Sequence, residues 1–234
     1  MNKIDVLDHG FARLVSYMQP VDAFADPQWT GDLEIVRNAR VSYDADWRDT
    51  DDQKDAKLVN YLTKNRHTSP FEAMVFTFEI KAPIFVIRQW HRHRTWSYNE
   101  VSARYAELPE EFYVPAVEQI TTQSASNKQM RTSEQHPHAE IWQERMAHWC
   151  AESFSLYKDM IERGIPRELA RGVLPLNTYT RMFATVDLHN LFHFLSLRLH
   201  EHAQYEIRVY AEALLALIEP ICPVAVAAFK EHRL

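Results

Sequence analysis

The chain has 234 residues, of which 46% are hydrophobic and 12% aromatic, so it can form one large domain or two small ones. Its formal net charge of -6 disfavours a general polyanion binder, because such proteins usually present a basic surface. No apolar run reaches the ~20 residues of a transmembrane helix, and MNKIDVLDHG lacks the features of a secretory signal, so we expect a cytoplasmic protein without a membrane partner.

The first quarter of the chain predicts one strand and two helices. Alternation of apolar and polar residues predicts a strand over Lys3–Leu7, and a helix is predicted over Leu33–Val41. The charged stretch Asp44–Lys57 predicts a loop that leads into a second helix, which ends near His67 because Ser69-Pro70 disfavours its continuation. The predicted apolar face of this helix, spaced i, i+3, i+4, consists of Leu58, Tyr61 and Leu62.

The middle of the chain predicts a strand, a helix and long polar connections. Ala73–Lys81 alternates as a strand does, and Pro83 suits the first turn of a helix through IFVIRQWHRH. TWSYNEVSARY follows as a predicted loop, and Glu111–Pro115 is a further short strand. Residues 121–138 are almost free of apolar side chains and predict a mobile loop, either a flap or a disordered insertion.

The remaining chain is predominantly helical in pattern. A strand is predicted over Thr178–Thr185, and Asp187 is a suitable N-cap for the helix after it. The predicted helices are Glu140–Arg163 (capped by Gly164), Pro166–Arg171, the Asp187 helix to about His200, and a last one over Ala203–Ile218. No linker or repeat interrupts the pattern, so we predict one α+β domain over residues 1–234.

Glycine and cysteine usage limits the chemistry. The four glycines cannot form a GxGxxG or Walker-type loop, so any bound phosphate must be held by arginine side chains or helix N-termini. Cys150 and Cys222 fit no metal or redox spacing, and neither has a basic neighbour or a helix N-terminus to lower its thiol pKa. We expect both to be core residues in a reducing compartment.

A basic segment, RHRTWSYNEVSARY at residues 92–105, stands out in this acidic chain. It contains Arg92, His93, Arg94 and Arg104. It is open to three interpretations: a solvated charged surface, a nucleic-acid contact built from arginine and aromatic residues, or a pocket for a small anion. The net negative charge of the whole chain favours the pocket over nucleic acid.

This segment resembles the signature of the flavin-dependent thymidylate synthases. In that signature RHR is followed after seven residues by a serine, here Ser102, and the wider pattern SYNE-x-S-x-RY is also present. A lone RHR would be weak evidence, but further blocks similar to the family occur in family order. They are KIDVLDHGF, RHTSPFEAMVFTFEIKAPIFVIRQW, GIPRELARGVLPLNTYTRMF and LRLHEHAQYEIR.

The resemblance implies a fold, a reaction and an assembly. The fold is α+β, a single domain with a central sheet flanked by long helices. The reaction methylates dUMP to dTMP, with methylenetetrahydrofolate as carbon donor and reduced FAD, regenerated by NADPH, as hydride donor. The assembly is a homotetramer with active sites shared between subunits.

The resemblance also assigns residues to the substrate. Arg198 matches the family arginine that stabilises the uracil ring. The alternative is that Arg198 only pairs with Glu201 on its own helix. Ser102 matches a serine that is either a nucleophile or a ligand of the dUMP phosphate, and we favour the phosphate role because no base is evident beside it. The implied substrate-binding residues are Gln89, Trp90, His91, Arg92, Glu100, Val101, Ser102, Ala103, Arg104, Arg171 and Arg198.

A second set of residues matches cofactor-binding positions of the family. His67 has the least certain role among them, and some relatives carry asparagine or arginine in place of Asp187, His189 or His193. The implied FAD-binding residues are His67, Ser69, Glu72, Arg92, His93, Arg94, Glu100, Asp187, Leu188, His189 and His193.

The twelve histidines raise the hypothesis of a metal site. The histidines include three HxH pairs, but residues i and i+2 of a helix point to different faces and no HExxH is present, so we expect no metal site. Two alternative functions remain. An RNA-binding module would use Arg92, Arg94 and Trp96 to contact nucleic acid. A flavoprotein with another reaction would keep the cofactor residues and fail on dUMP.

Overall fold

Five strands form one antiparallel sheet in the spatial order β1 (Lys3–Val6), β2 (Gly10–Tyr17), β3 (Val75–Pro83), β7 (Tyr179–Asp187) and β4 (Ser97–Glu100). The computed structural model describes residues 2–19, 29–44 and 51–234. β3 and β7 form the centre of the sheet and pair along their whole length, from Val75 opposite Asp187 to Pro83 opposite Tyr179. The strands are β1 (Lys3–Val6), β2 (Gly10–Tyr17), β3 (Val75–Pro83), β4 (Ser97–Glu100), β5 (Thr121–Gln123), β6 (Arg131–Gln135) and β7 (Tyr179–Asp187), of which β5 and β6 pair separately.

Helices supply most of the remaining ordered structure. They are α1 (Gly31–Val41), α2 (Asp52–Lys64), α3 (Ser69–Glu72), α4 (Ile84–Trp90), α5 (Ala139–Glu162), α6 (Arg167–Ala170), α7 (Leu188–Arg198), α8 (Tyr205–Ile218) and α9 (Pro223–Arg233). No helix within the described ranges is both long and apolar enough to cross a membrane.

The main core lies between one face of the sheet and helices α4, α7 and α8. Phe76, Phe78 and Ile80 alternate along β3 and are fully buried on this face, as the sequence predicts. Met182 and Ala184 of β7 point to the same side. Trp90, the last residue of α4, stacks on Phe194 in the second half of α7, where the basic segment begins.

The longest helix, α5, belongs to a separate small cluster. Phe154 and Tyr157 of α5 are buried with Ala170 of α6. Gly164 ends α5 with a positive φ of 82°, which glycine adopts without steric cost, so its predicted capping role is confirmed.

The predicted fold class is confirmed, and the main regular elements of the β3–α8 region occur within a few residues of their predicted bounds. The loop predicted for TWSYNEVSARY is wrong over four residues, because Ser97–Glu100 pairs with β7 as strand β4. The helix predicted through His93 ends at Trp90. Glu111–Pro115 makes only an isolated bridge, between Phe112 and Thr178.

Two polar segments are more regular than their composition predicts. Residues 121–138, predicted as a mobile polar loop, include a hairpin of β5 and β6 in which the hydroxyls of Thr122 and Thr132 lie 2.6 Å apart. Their mobility stays a prediction. Within the charged stretch 44–57, α2 already begins at Asp52, because the Asp51 carboxylate accepts a hydrogen bond from the Lys54 amide. Part of Asp44–Lys57 lies outside the described residues.

Other differences come from long-range packing. The buried face of α2 includes Val59 and Leu62, whereas Tyr61 is exposed, so that part of the predicted face is wrong. Helix α9 was not predicted and follows the helix that the pattern presents as the last. Its first amides, those of Val224 and Ala225, donate to the buried Asp32 carboxylate, a partner 192 residues or more away in the chain.

Candidate active site

Arg198, the last residue of α7, points its guanidinium back toward the end of α4. Its Nε donates a hydrogen bond to His93 Nε2 at 3.1 Å, and one terminal nitrogen lies 3.5 Å from the Gln89 carbonyl oxygen. No carboxylate of the described residues pairs with this guanidinium, and the local pairing with Glu201 does not occur. Partial burial lowers the pKa of Arg198. The result is a fixed, half-buried positive charge that lacks a carboxylate partner in the described structure.

His93 is the inward-facing member of the RHR triplet. Its side chain is 7% exposed and its ring lies 4.8 Å from the Phe194 ring, centroid to centroid. Burial, together with the positive charges of Arg198 and His193, lowers the pKa of His93 to about 4. The ring is therefore neutral near pH 7, and its Nε2 can accept the hydrogen bond from Arg198.

Aromatic packing explains why the triplet points His93 inward and both arginines outward. Trp90 is fully buried and stacks on Phe194 at 4.8 Å. The Tyr98 hydroxyl, on strand β4, donates to the carbonyl oxygens of Trp90 and His93 at 3.1 and 2.9 Å. This closes the turn between α4 and β4 and leaves Arg92 and Arg94 exposed, with no carboxylate partner within the described ranges.

The segment from Glu100 to Arg104 forms a second part of the site. The Thr180 hydroxyl donates to a Glu100 carboxylate oxygen at 2.8 Å, which ties the segment to β7. Ser102 Oγ accepts a hydrogen bond from the Arg104 amide at 3.3 Å, and Arg104 pairs with Glu168 of α6 at 3.4 Å. The exposed Arg171 directly follows α6, so the pair brings the segment to the same surface region.

The start of α7 forms a third part. Asp187 caps the helix by accepting from the Asn190 amide at 2.9 Å, which confirms the predicted N-cap. His189 shares a small cavity with His67, and α3, which carries Ser69 and Glu72, packs against α7. His193 lies one turn further along α7, 6.1 Å from the His93 ring, and so connects this part to Arg198.

Three residues of the predicted set cannot present their side chains to a ligand. Trp90 and Leu188 are fully buried, and Ala103 is 8% exposed. The predicted contacts at these positions can be made only through the backbone. At Trp90 the backbone carbonyl already accepts a hydrogen bond from the Tyr98 hydroxyl, so the predicted contact at this position stays a prediction.

Sequence reasoning missed Gln204, the N-cap residue of α8. Its amide oxygen accepts a 2.5 Å hydrogen bond from the Gln89 amide nitrogen, which places it beside Gln89 and Arg198. The residue lies within the block LRLHEHAQYEIR, but the pattern gives no reason to choose it, because its partner is 115 residues away.

Both cysteines are core residues, as predicted. Cys150 is 5% exposed and accepts a hydrogen bond from the Asn177 side chain, and burial raises its pKa. Cys222 is fully buried, and burial also raises its pKa well above the ordinary value. Neither thiol is poised to act as a nucleophile. Within the described ranges, no group of three or more His, Cys, Asp or Glu side chains has a metal-binding arrangement.

The depressed pKa of His93 predicts acid sensitivity of the folded state. In the unfolded chain the pKa returns to about 6.5, so between pH 6.5 and 4 the unfolded state binds more protons and stability falls as the pH falls. The loss reaches about 3 kcal/mol at pH 4 and levels off within about one pH unit below it. Denaturant unfolding from pH 7 to 4 should show this slope in the wild type, reduced in His93→Gln. Parallel slopes would contradict the assignment.

The chain is similar to known proteins over nearly its whole length. The profile of the family Thy1, described as thymidylate synthase complementing protein, matches residues 26–224. The chain is 46% identical over 230 residues to the flavin-dependent thymidylate synthase of Treponema denticola, covering 97% of this chain and 81% of the relative. The enzyme of the same name from Thermus thermophilus is 47% identical over 234 residues, with 99% and 79% covered.

A solved structure shares the fold along the whole chain. It is the UMP/dUMP methylase PolB from Streptomyces cacaoi bound with 5-Br dUMP, with a TM-score of 0.85 and 33% sequence identity, covering 98% of each chain. A second structure of the same methylase, bound with 5-Br UMP, gives a TM-score of 0.82 at 34% identity, covering 98% of this chain and 97% of the methylase chain.

Proposed function

The chain belongs to the Thy1 family of flavin-dependent thymidylate synthases, and from this premise we propose that it methylates dUMP to dTMP. Methylenetetrahydrofolate supplies the carbon. FAD, when bound and reduced by NADPH, would supply the hydride. The observation that carries the proposal is Arg198: a half-buried guanidinium without a carboxylate partner in the described chain is a charge that a pyrimidine can satisfy.

The pyrimidine must be activated, because uracil C5 is a poor nucleophile. Addition of a thiolate at C6 is one route, but Cys150 and Cys222 are buried and burial raises both thiol pKa values. The other route is a fixed cation beside uracil N3 and O2, which stabilises negative charge as it develops on the ring. Arg198 suits this role because a guanidinium stays protonated and the His93 hydrogen bond holds its orientation.

The phosphate of dUMP requires a separate cationic region. Arg104 pairs with Glu168 of α6, Arg171 directly follows that helix, and the Ser102 hydroxyl accepts a hydrogen bond from the Arg104 amide. The Arg104–Glu168 pair is exposed and therefore weak, so a phosphate dianion can compete with it. Gln89, His91, Arg92, Glu100 and the backbone at 101–103 complete the proposed substrate contacts.

The residues proposed for FAD fit an anionic cofactor. Arg92 and Arg94 expose guanidinium groups that can bind its diphosphate. His189 and His193 lie on α7, and His67 lines the same small cavity as His189. Ser69, Glu72, Glu100, His93 and the turn at Asp187 and Leu188 contribute the remaining contacts, although the Asp187 carboxylate is already used by Asn190 and is less available than the family resemblance suggests.

We also propose the homotetramer that the resemblance implies. Trp142, Trp149 and Leu156 are seven residues apart on α5 and are 44%, 63% and 49% exposed, which makes an apolar stripe on one side of that helix. Phe183 is exposed on the sheet face opposite the main core. Light scattering on the purified protein should give four times the mass of one chain. A monomer would contradict the proposed assembly.

The function is tested by flavin content and product formation. The purified protein should be yellow, with a flavin absorbance that bleaches under NADPH, and it should form dTMP from dUMP, methylenetetrahydrofolate, FAD and NADPH. A colourless protein that refuses added FAD would contradict the proposal. A yellow protein that forms no dTMP would instead indicate a flavoenzyme with another reaction, and salt-dependent RNA affinity would support the nucleic-acid alternative.

The role of Ser102 gives a separate prediction. Because we propose that its hydroxyl binds the phosphate, and within the described ranges no basic side chain hydrogen-bonds to it, Ser102→Ala should raise KM for dUMP about tenfold and lower kcat less than threefold. Steady-state kinetics with varied dUMP measure both. If instead activity disappears while the Kd for dUMP is unchanged, the serine acts as a nucleophile.

A further inference from the structure

Glu206 is a buried carboxylate that the proposed reaction does not use. It lies in the first turn of α8, is 3% exposed and has three polar partners. Two terminal nitrogens of Arg131, from the β5–β6 hairpin, lie 3.2 Å from one carboxylate oxygen, and the Tyr113 hydroxyl donates to that oxygen at 3.3 Å. Burial and the charge of Glu206 raise the pKa of Tyr113, so its hydroxyl remains a donor.

The other oxygen of Glu206 is joined to the nucleotide site through two amides. Gln204 donates its side-chain nitrogen to Glu206 Oε2 at 2.8 Å, and its amide oxygen accepts from the Gln89 side-chain nitrogen at 2.5 Å. Gln89 is also the residue whose backbone carbonyl lies 3.5 Å from Arg198. Two hydrogen bonds therefore connect the buried carboxylate with the side chain of Gln89, the residue whose backbone contacts the arginine proposed to bind the pyrimidine.

The chemistry of these groups fixes the direction of each hydrogen bond between Glu206, Gln204 and Gln89. A carboxylate accepts hydrogen bonds and does not donate them, so Gln204 must turn its nitrogen toward Glu206 and its oxygen toward Gln89. Gln89 must then present its nitrogen to Gln204. Its own amide oxygen, which no donor of the described residues occupies, is left for a ligand. Without the carboxylate, either amide could turn over and each orientation would still form hydrogen bonds.

We infer that Glu206 is a positioning residue for the nucleotide: through Gln204 it fixes the amide orientation of Gln89, so that Gln89 presents an acceptor oxygen to a donor group of dUMP. The inference rests on the proposed function, since it takes Gln89 as a nucleotide contact. It adds two residues, Gln204 and Glu206, that touch neither substrate nor cofactor in the proposed site but set which hydrogen-bonding group the substrate meets.

The test compares dUMP binding in variants that differ in what they do to the amide chain. Glu206→Gln replaces an obligate acceptor with an amide, so the Kd for dUMP should rise about tenfold while the flavin content stays at the wild-type level. Gln204→Met keeps the Arg131–Glu206 pair and breaks the chain, and should have a similar effect. The two changes together should be no worse than either alone, because they act on one chain.

Two controls separate positioning from general damage. Arg131→Gln removes the ion pair but leaves the carboxylate oxygen that Gln204 uses, so the Kd for dUMP should change less than threefold even if the melting temperature falls. Glu212→Gln, at an exposed position on the same helix, should leave binding unchanged. A tenfold loss in Arg131→Gln, or wild-type affinity in Gln204→Met, overturns the inference.

The same titrations distinguish failure of the inference from failure of the proposed function. If the wild-type protein binds dUMP and forms dTMP but the Glu206 and Gln204 variants bind dUMP as tightly, only the inference fails. If the wild-type protein neither binds dUMP nor forms dTMP, the proposed function itself fails and the inference falls with it. If Glu206→Gln does not fold, Gln204→Met decides alone.

Discussion

Replacing Arg198 with lysine is expected to lower kcat by about 100-fold or more while the protein keeps its flavin. The His93 hydrogen bond holds a planar guanidinium at a defined angle, and the second arm reaches the Gln89 carbonyl. A lysine ammonium supplies the same charge but cannot span both contacts and the pyrimidine together. The loss corresponds to about 3 kcal/mol of transition-state stabilisation.

The measurement is single-turnover dTMP formation together with the flavin-to-protein ratio. Arg163→Lys, at an exposed ion pair with Asp159 beyond the end of α5, is the matched control and should retain full turnover. Turnover of Arg198→Lys within threefold of the wild type would remove Arg198 from the activation of uracil. Loss of flavin along with activity would show that Arg198 acts on the cofactor site.

Replacing Gly10 with alanine is expected to destabilise the fold by about 3 kcal/mol or more, the largest stability effect that a single methyl group should have here. An added Cβ would collide with the Tyr210 hydroxyl and lie 2.7 Å from the Val6 carbonyl oxygen and 2.8 Å from that of Lys81. Two of these three obstacles are backbone atoms of β1 and β3 and cannot move without disturbing the sheet. The Tyr210 hydroxyl would also lose its 2.6 Å hydrogen bond to Lys81.

Thermal unfolding provides the comparison, with an expected fall in Tm of roughly 6–12 °C for a domain of this size. Gly172→Ala is the matched control, because its Cβ would meet no atom within 4 Å, and its Tm should change by less than about 2 °C. Adding Tyr210→Phe to Gly10→Ala should recover only part of the loss, since the two carbonyl contacts remain. A Gly10→Ala protein as stable as Gly172→Ala would contradict this packing.

The sequence predicts those parts of the site that lie on single elements. The N-cap at Asp187 and the alternation of Phe76, Phe78 and Ile80 are local patterns that the structure follows, whereas the block at 92–105 differs from the predicted helix end and loop. The sequence of the block does not show which members of RHR point inward, because their orientation depends on Phe194 and Tyr98 from distant elements.

Long-range contacts account for what the sequence does not predict. Strand β4 forms only because β7 offers a partner, and its own residues carry little strand signal. Arg198 has a nearby Glu201 in sequence, and only the folded chain shows that it turns toward His93 instead. The chain from Glu206 to Gln89 joins residues more than 100 positions apart, and no spacing rule connects them.

The most direct test of the central claim is a crystal structure of the flavin-containing protein with dUMP bound. We expect a guanidinium nitrogen of Arg198 within about 3 Å of uracil O2 or N3, with Cys150 and Cys222 still buried away from C6. A nucleotide bound with its ring away from Arg198, or with a cysteine sulfur against C6, would contradict activation by a fixed cation.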